Sequence, residues 1–345
     1  MGKKIFGFTA LLVIAVLLAP AVFAGGQQSG NQQPSGAWKW ERKVTFISPW
    51  GPGGGSGPTI RLIVPEVEKV IGVPCEVQHI EGAGGASGAI AAWKQPADGY
   101  NYLLATQSQI LLDLQGMLPF NFKDEFIPIG KLVHSTNGLM ASTKAIQGKF
   151  SDFKGFISYV KANPKTVTCA MLSSGGTDQA GLYQLLSLAL GIPINQVNEY
   201  VKITPYSDGA EIDAALVGGH IDTSIAGPGD EAGLIESGDV TPLVVLSEKR
   251  LKSFPDIPCT GEMGIAAYIG TWRGIWARKG TSQAAMDAMD KALRQAWGSD
   301  TYQNFCKENG YDERTGYESQ ADFKKLVVNE YKAFEEFLKA TGQIK

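Results

Sequence analysis

The run KVTFISPWGPGGGSGPTIR, residues 43–61, holds the pattern that decides the fold. Residues 43–48 read as a strand. A glycine loop follows, and 59–71 reads as a helix with Ile60, Val64, Val67 and Ile71 on one face. Pro58 suits the first helical turn, where no N–H is needed. Pro65 lies inside the helix and is expected to bend it, and Gly72-Val73-Pro74 ends it. The grammar repeats: strand 75–80, a second glycine loop, a small-residue helix through Trp93, a turn at Pro96-Ala97-Asp98-Gly99, and strand 100–106. Strand–loop–helix alternation predicts a parallel sheet covered by helices.

The same alternation restarts near residue 150. Phe153, Phe156, Ile157 and Val160 mark a helix that stops before Asn163-Pro164. Strand 166–171, a polar glycine loop at 173–177 and helix 178–190 come next. A helix through Val217 then ends at Gly218-Gly219, followed by strands 221–225 and 241–246. After Pro255 the chain runs through Trp272 into long helical stretches. The expected organisation is two α/β lobes around a cleft, residues 41–135 with 260–345 and residues 136–259, joined by hinge crossings near 135 and 260.

Lys3 and Lys4, the apolar run 8–18, Pro20 and Val22-Phe23-Ala24 read in that order as a cleaved signal peptide, residues 1–24, and hence as export to the periplasm. Residues 25–40 read as a flexible leader. What remains, roughly 320 residues, fits two domains. A formal net charge of −3 without any basic block argues against nucleic-acid binding. Cys75, Cys169, Cys259 and Cys306 allow three full disulfide pairings or none. No Cys/His spacing suggests a metal, and no cofactor is expected.

Three loops repeat one device, each placed between a strand and a helix: Gly53-Gly54-Gly55-Ser56-Gly57, Gly82-Ala83-Gly84-Gly85-Ala86-Ser87 and Ser173-Ser174-Gly175-Gly176-Thr177. A helix N-terminus leaves backbone N–H groups unpaired and partly positive. Glycine lets an anion approach that backbone, and a hydroxyl adds a donor. In open α/β sheets such loops gather at the carboxyl ends of strands. The loops contain no Lys or Arg, and Arg61 lies a turn beyond the first, so neutral donors are expected to hold an anion. Gly53 to Thr59 lacks the Gly-Lys-Ser/Thr of a P-loop. Ser56, Ser87 and Ser174 lack a His partner, and none sits in G-x-S-x-G. Trp50, Tyr206 and Trp272 read either as cleft walls or as core, and Asp208 and Asp222 either as paired carboxylates or as caps and surface groups.

Ser48-Pro49-Trp50-Gly51-Pro52-Gly53-Gly54-Gly55 through Arg61 resembles the first-strand loop of the tripartite tricarboxylate transporter receptors, the Bug-type binding proteins. Gly82-Ala83-Gly84-Gly85 with Gly88, then Pro96-x-Asp98-Gly99-Tyr100, resembles a second signature. Pro205-Tyr206, Leu216-Val217-Gly218-Gly219-His220-Ile221-Asp222, Lys249-Arg250 and Pro255-Asp256-Ile257-Pro258 continue the series in order. The resemblance implies a type II periplasmic-binding-protein fold. It implies a carboxylate ligand held by Trp50, Gly54, Gly55 and Ser56 with Gly84, Gly85, Ala86 and Ser87. Ser174, Thr177, Tyr206 and Asp222 are the second-lobe matches, and Thr106 ends the third strand. The implied partners are the membrane subunits of a tripartite tricarboxylate transporter, served by a monomer. Gly57 stands where the family often has Asp. The expectation is therefore a receptor for a mono-, di- or tricarboxylate and not an enzyme. The alternatives are a sensor domain and a periplasmic enzyme using Asp208 or Asp222 as general base.

Overall fold

A computed structural model describes residues 38–53, 55–172, 176–206, 208–311, 314 and 316–345. The signal peptide, most of the leader, Gly54 and Ser174 lie outside the described residues. In chain order the first elements are β1 (Val44–Ser48), α1 (Ser56–Ile71), β2 (Cys75–His79), α2 (Ala86–Trp93), β3 (Asn101–Ala105), α3 (Gln107–Leu114), α4 (Phe122–Glu125) and β4 (Phe126–Thr136). Next come β5 (Gly138–Ser142), α5 (Phe153–Ala162), β6 (Val167–Leu172), α6 (Thr177–Leu190), β7 (Val201–Tyr206), α7 (Gly209–Gly218), β8 (Thr223–Ala226), α8 (Ala232–Ser237) and β9 (Val240–Val245). The chain closes with β10 (Gly270–Arg278), α9 (Gln283–Trp297), α10 (Asp300–Glu308), β11 (Glu318–Ser319) and α11 (Gln320–Ala340).

The strands form two sheets, β11-β4-β10-β3-β1-β2 and β7-β6-β8-β5-β9, so the architecture is α/β with two lobes. Neither sheet is purely parallel as the alternation predicts. β1 pairs in parallel with β2 and β3, but β10 runs antiparallel between β3 and β4, and β5 runs antiparallel between β8 and β9. The periodicity could not show this because β10 returns to the first sheet from the far side of the second.

The crossings are narrow. β4 ends at Thr136 and β5 begins at Gly138, leaving Asn137 between the sheets. Asn137 donates its N–H to Ile269 O at 3.2 Å, and its carbonyl accepts from Leu246 N at 2.7 Å, so it ties both passing segments together.

α1 buries Ile60, Ile63, Val64 and Val67 against the first sheet. Each such side chain contributes about 1.5–3 kcal/mol when fully buried. The helix runs unbroken through Pro65. Trp272 belongs to the core: it is fully buried, packs edge-on to Phe323, and donates Nε1–H to Glu330 Oε2 at 2.5 Å. All four cysteines are free, three of them buried. Among the described residues no helix is long and apolar enough to cross a membrane.

Candidate functional site

Between the lobes lies a cavity of about 110 Å³, room for several waters or a small organic ion. The first turns of four helices line it, two from each lobe: Ser56 of α1, Thr106 and Ser108 at α3, Thr177 and Asp178 of α6, Asp208 and Gly209 at α7. The carboxyl ends of β6 and β8 contribute Leu172 and Ala226. Thr106 caps α3 by accepting from Ser108 N, and Asp208 caps α7 by accepting from Ala210 N at 2.8 Å. α1 and α6 have no side-chain cap. Their first N–H groups are therefore the ones left for an incoming acceptor.

The first-lobe wall is made of Trp50, Gly53, Gly55, Ser56, Thr106, Ser108, Thr271 and Arg273. Trp50 is 8% exposed, and its carbonyl is held by Ser48 Oγ at 2.9 Å and by His79 Nδ1 at 2.7 Å. Arg273, on β10, is 4% exposed. Its Nε donates to Ser56 Oγ at 3.3 Å, Nη1 to Ser135 Oγ at 3.4 Å, and Nη2 to Asp230 Oδ2 at 3.0 Å. Burial opposes its charge, but Asp230, with Tyr311 and Tyr302, outweighs this and its pKa is raised. Tyr311 donates to the other oxygen of Asp230. This cluster bridges the lobes, and Gly55 leaves room for it. A Cβ there would fall 2.0 Å from Arg273 Nη2 and 2.1 Å from Asp230 Oδ1. Across the mouth, a Cβ on Gly53 would lie 3.4 Å from Ala210 of α7. The lobes are thus in contact, with the cavity between them.

The second-lobe wall carries the opposite chemistry. Asp178, Asp208, Asp213, Asp230 and Glu231 line it, with no Lys, Arg or His among the described residues. Burial pushes Asp178 up to about 6. Burial, with Asp230 and Asp208 adding repulsion, pushes Asp213 up to about 6. Glu231, 4% exposed, is pushed well up by burial and then by Asp213 and Asp230. Each of these shifts is the cost of holding a charge away from water beside other negative charges.

Of the residues proposed from sequence, Trp50, Gly55, Ser56, Thr106 and Thr177 line the cavity. Gly84, Gly85 and Ala86 are buried, Ser87 is half-buried, and none of the four lines it. Their loop stands behind the first one. A Cβ on Gly85 would lie 2.7 Å from Gln109 Nε2 and 3.1 Å from Trp50 Cζ2, and one on Gly88 2.5 Å from Pro49 Cα. Gly85 also has φ +94°, which a side chain resists. Tyr206, half-buried at the end of β7, pairs in register with Leu172 of β6 and packs against the second-lobe core without lining the cavity. Asp222 lies two residues upstream of Ser224, the nearest cavity-lining residue of β8, roughly 7 Å at strand rise, and does not line the cavity itself. There it pairs with Lys149 Nζ at 2.5 Å and accepts from Thr168 N and Oγ1 at 2.8 and 2.7 Å. Its carboxylate holds β6, β8 and the Lys149 turn together, away from the cavity.

Gly57 is explained by packing: a Cβ there would lie 2.0 Å from Pro52 O, so this loop has no room for an acid. The sequence reading named Asp208 but missed Arg273 and the rest of the acidic wall. Arg273 left one signal, a guanidinium inside the apolar run Gly270–Arg278, GTWRGIWAR.

The family model "Tripartite tricarboxylate transporter family receptor" matches residues 59–343. BugT of Bordetella pertussis is 27% identical over 83% of this chain and 83% of its own length. An Agrobacterium vitis protein of the ttuE-ttuC' intergenic region is 28% identical over 82% and 78%. Among solved structures, the periplasmic binding protein BugD superposes with a TM-score of 0.74 at 24% identity, covering 88% of this chain and 98% of that one. An R. palustris protein solved with adipate superposes with a TM-score of 0.78 at 22% identity, covering 88% and 98%. These likenesses establish the two-lobed periplasmic-binding-protein fold, and with the family match they show that this chain belongs to the tripartite tricarboxylate transporter family of solute-binding receptors.

Proposed function

We propose that this chain is exported, captures a small carboxylate in the interlobe cavity, and presents it as a monomer to the membrane subunits of a tripartite tricarboxylate transporter. The observation that carries this reading is the uncapped N-terminus of α1 at the cavity wall, flanked by Ser56 and Thr106 and free of acidic residues in its first turn. Such a terminus favours a carboxylate through its N–H groups and its dipole. Family membership supports the receptor role over catalysis. The structures of MatC from Rhodopseudomonas palustris with malate and of the R. palustris protein with adipate show that the same fold carries such ligands. The basic start and apolar run of residues 1–24 support export.

Titration calorimetry of the purified chain against mono-, di- and tricarboxylates tests the reading. Binding near micromolar, about −8 kcal/mol, is expected for at least one class, and Ser56→Ala should weaken it about tenfold. Failure of every carboxylate to bind a folded sample would overturn it.

A further inference from the structure

We propose that the ligand carries a positively charged nitrogen as well as its carboxylate, with the carboxylate against the first lobe and the cationic end against Asp208, Asp213 and Glu231 of the second. This rests on the proposed function and narrows its ligand class.

Two independent observations lead there. The first is the segregation of charge across the cavity. Among the described residues the first-lobe wall has no carboxyl group and one guanidinium, whereas the second-lobe wall has five carboxyl groups and no cation. Arg273 answers only Asp230, at 3.0 Å. A second carboxylate on the ligand would sit beside uncompensated acids in a site from which water is displaced, where like charges repel most strongly.

The second observation is a pair of buried polar atoms without partners. Asn137, 2% exposed, lines the cavity at the hinge, and its Nδ2 donates to nothing. Glu231, 4% exposed, lines the second-lobe wall; its Oε1 accepts from Ser224 Oγ at 3.4 Å, but Oε2 has no partner among the described residues. Buried polar groups are almost always paired, so each orphan calls for a specific explanation. One orphan is an amide donor at the hinge and the other a carboxyl oxygen on the acidic wall. A molecule with a carboxylate at one end and an ammonium at the other satisfies both. A molecule with carboxylates at both ends meets the second only while Glu231 keeps a proton, and still sets its own charge among the remaining acids.

The test compares matched pairs on the purified chain freed of bound ligand: β-alanine with malonate, γ-aminobutyrate with succinate, and δ-aminovalerate with glutarate. The amino acid of the best-fitting pair is expected to bind at least about tenfold tighter than its dicarboxylate. Glu231→Gln and Asp213→Asn, each first shown to fold by thermal melting, should weaken the amino acid about tenfold while leaving the dicarboxylate unchanged or tighter. Dicarboxylates binding as well as or better than amino acids would overturn this proposal and leave the carboxylate receptor standing. Equal losses for both ligand types in the two variants would also overturn it. Binding by no carboxylate at all would remove the proposed function and this proposal together.

Discussion

Asp213 sits half-buried on α7, and burial, with Asp230 and Asp208 adding to it, pushes its pKa up to about 6 from 3.8. Glu231, Asp178 and Arg273 complete the charged groups around it. Between those two values the folded chain holds a proton that the unfolded chain has released. Stability of the empty protein from this group is therefore highest at low pH, falls as pH rises from about 4 to about 6, and stays reduced above. Asp213→Asn should consequently stabilise the empty protein by about 1–3 kcal/mol near neutral pH and by little near pH 4. Thermal melts of both proteins across that range check it, and a gap that does not change with pH would count against the assignment. At this scale the sequence was legible where chemistry is local. Ser56 and Thr177 announced themselves by following glycines at helix starts. Arg273 and the acids meet only through tertiary structure: Arg273 on β10 and Asp230 in the turn after β8 are 43 positions apart.

α1 shows what an element's sequence can and cannot say. Its buried face was readable from the spacing of Ile60, Val64 and Val67 and its stop from Gly72, but it starts at Ser56, three residues before the expected Thr59. Pro65 was expected to bend it, yet the helix continues. Pro65 is exposed and costs the helix one backbone hydrogen bond without disturbing the packed side. Pro65→Ala should restore that bond and raise stability by about 1–3 kcal/mol, read from the urea midpoint; an unchanged midpoint would mean that strain elsewhere already absorbs the proline. β10 was the element that could not be seen. Buried on both faces in the middle of its sheet, Gly270–Arg278 has no polar alternation, and its partners β3 and β4 lie more than a hundred residues upstream. Missing it hid both the mixed character of the sheet and the arginine in the cavity.

At the scale of the whole molecule, the lobes are held together by a small set of polar ties. Asp230 reaches Arg273 and Tyr311, Arg314 Nη2 donates to Leu246 O at 3.3 Å, and Ser253 Oγ donates to Lys307 O at 2.8 Å. Asn137 is the narrow link about which the lobes can swing. Asp230→Asn weakens the central tie while keeping its shape, so the empty variant should spend more time open. Solution scattering should show a larger radius of gyration than for the empty wild type, and saturating ligand should remove the difference. No difference without ligand would mean that the remaining contacts suffice to hold the lobes together. α11 adds a mechanical term. Phe323 anchors its start in the first lobe's core, while near its other end Phe337 meets Tyr183 of α6 in the second, ring centres 6.2 Å apart. The helix is thus an outrigger, fixed to one hull and resting on the other, and any cargo fused behind Lys345 would load the swing itself.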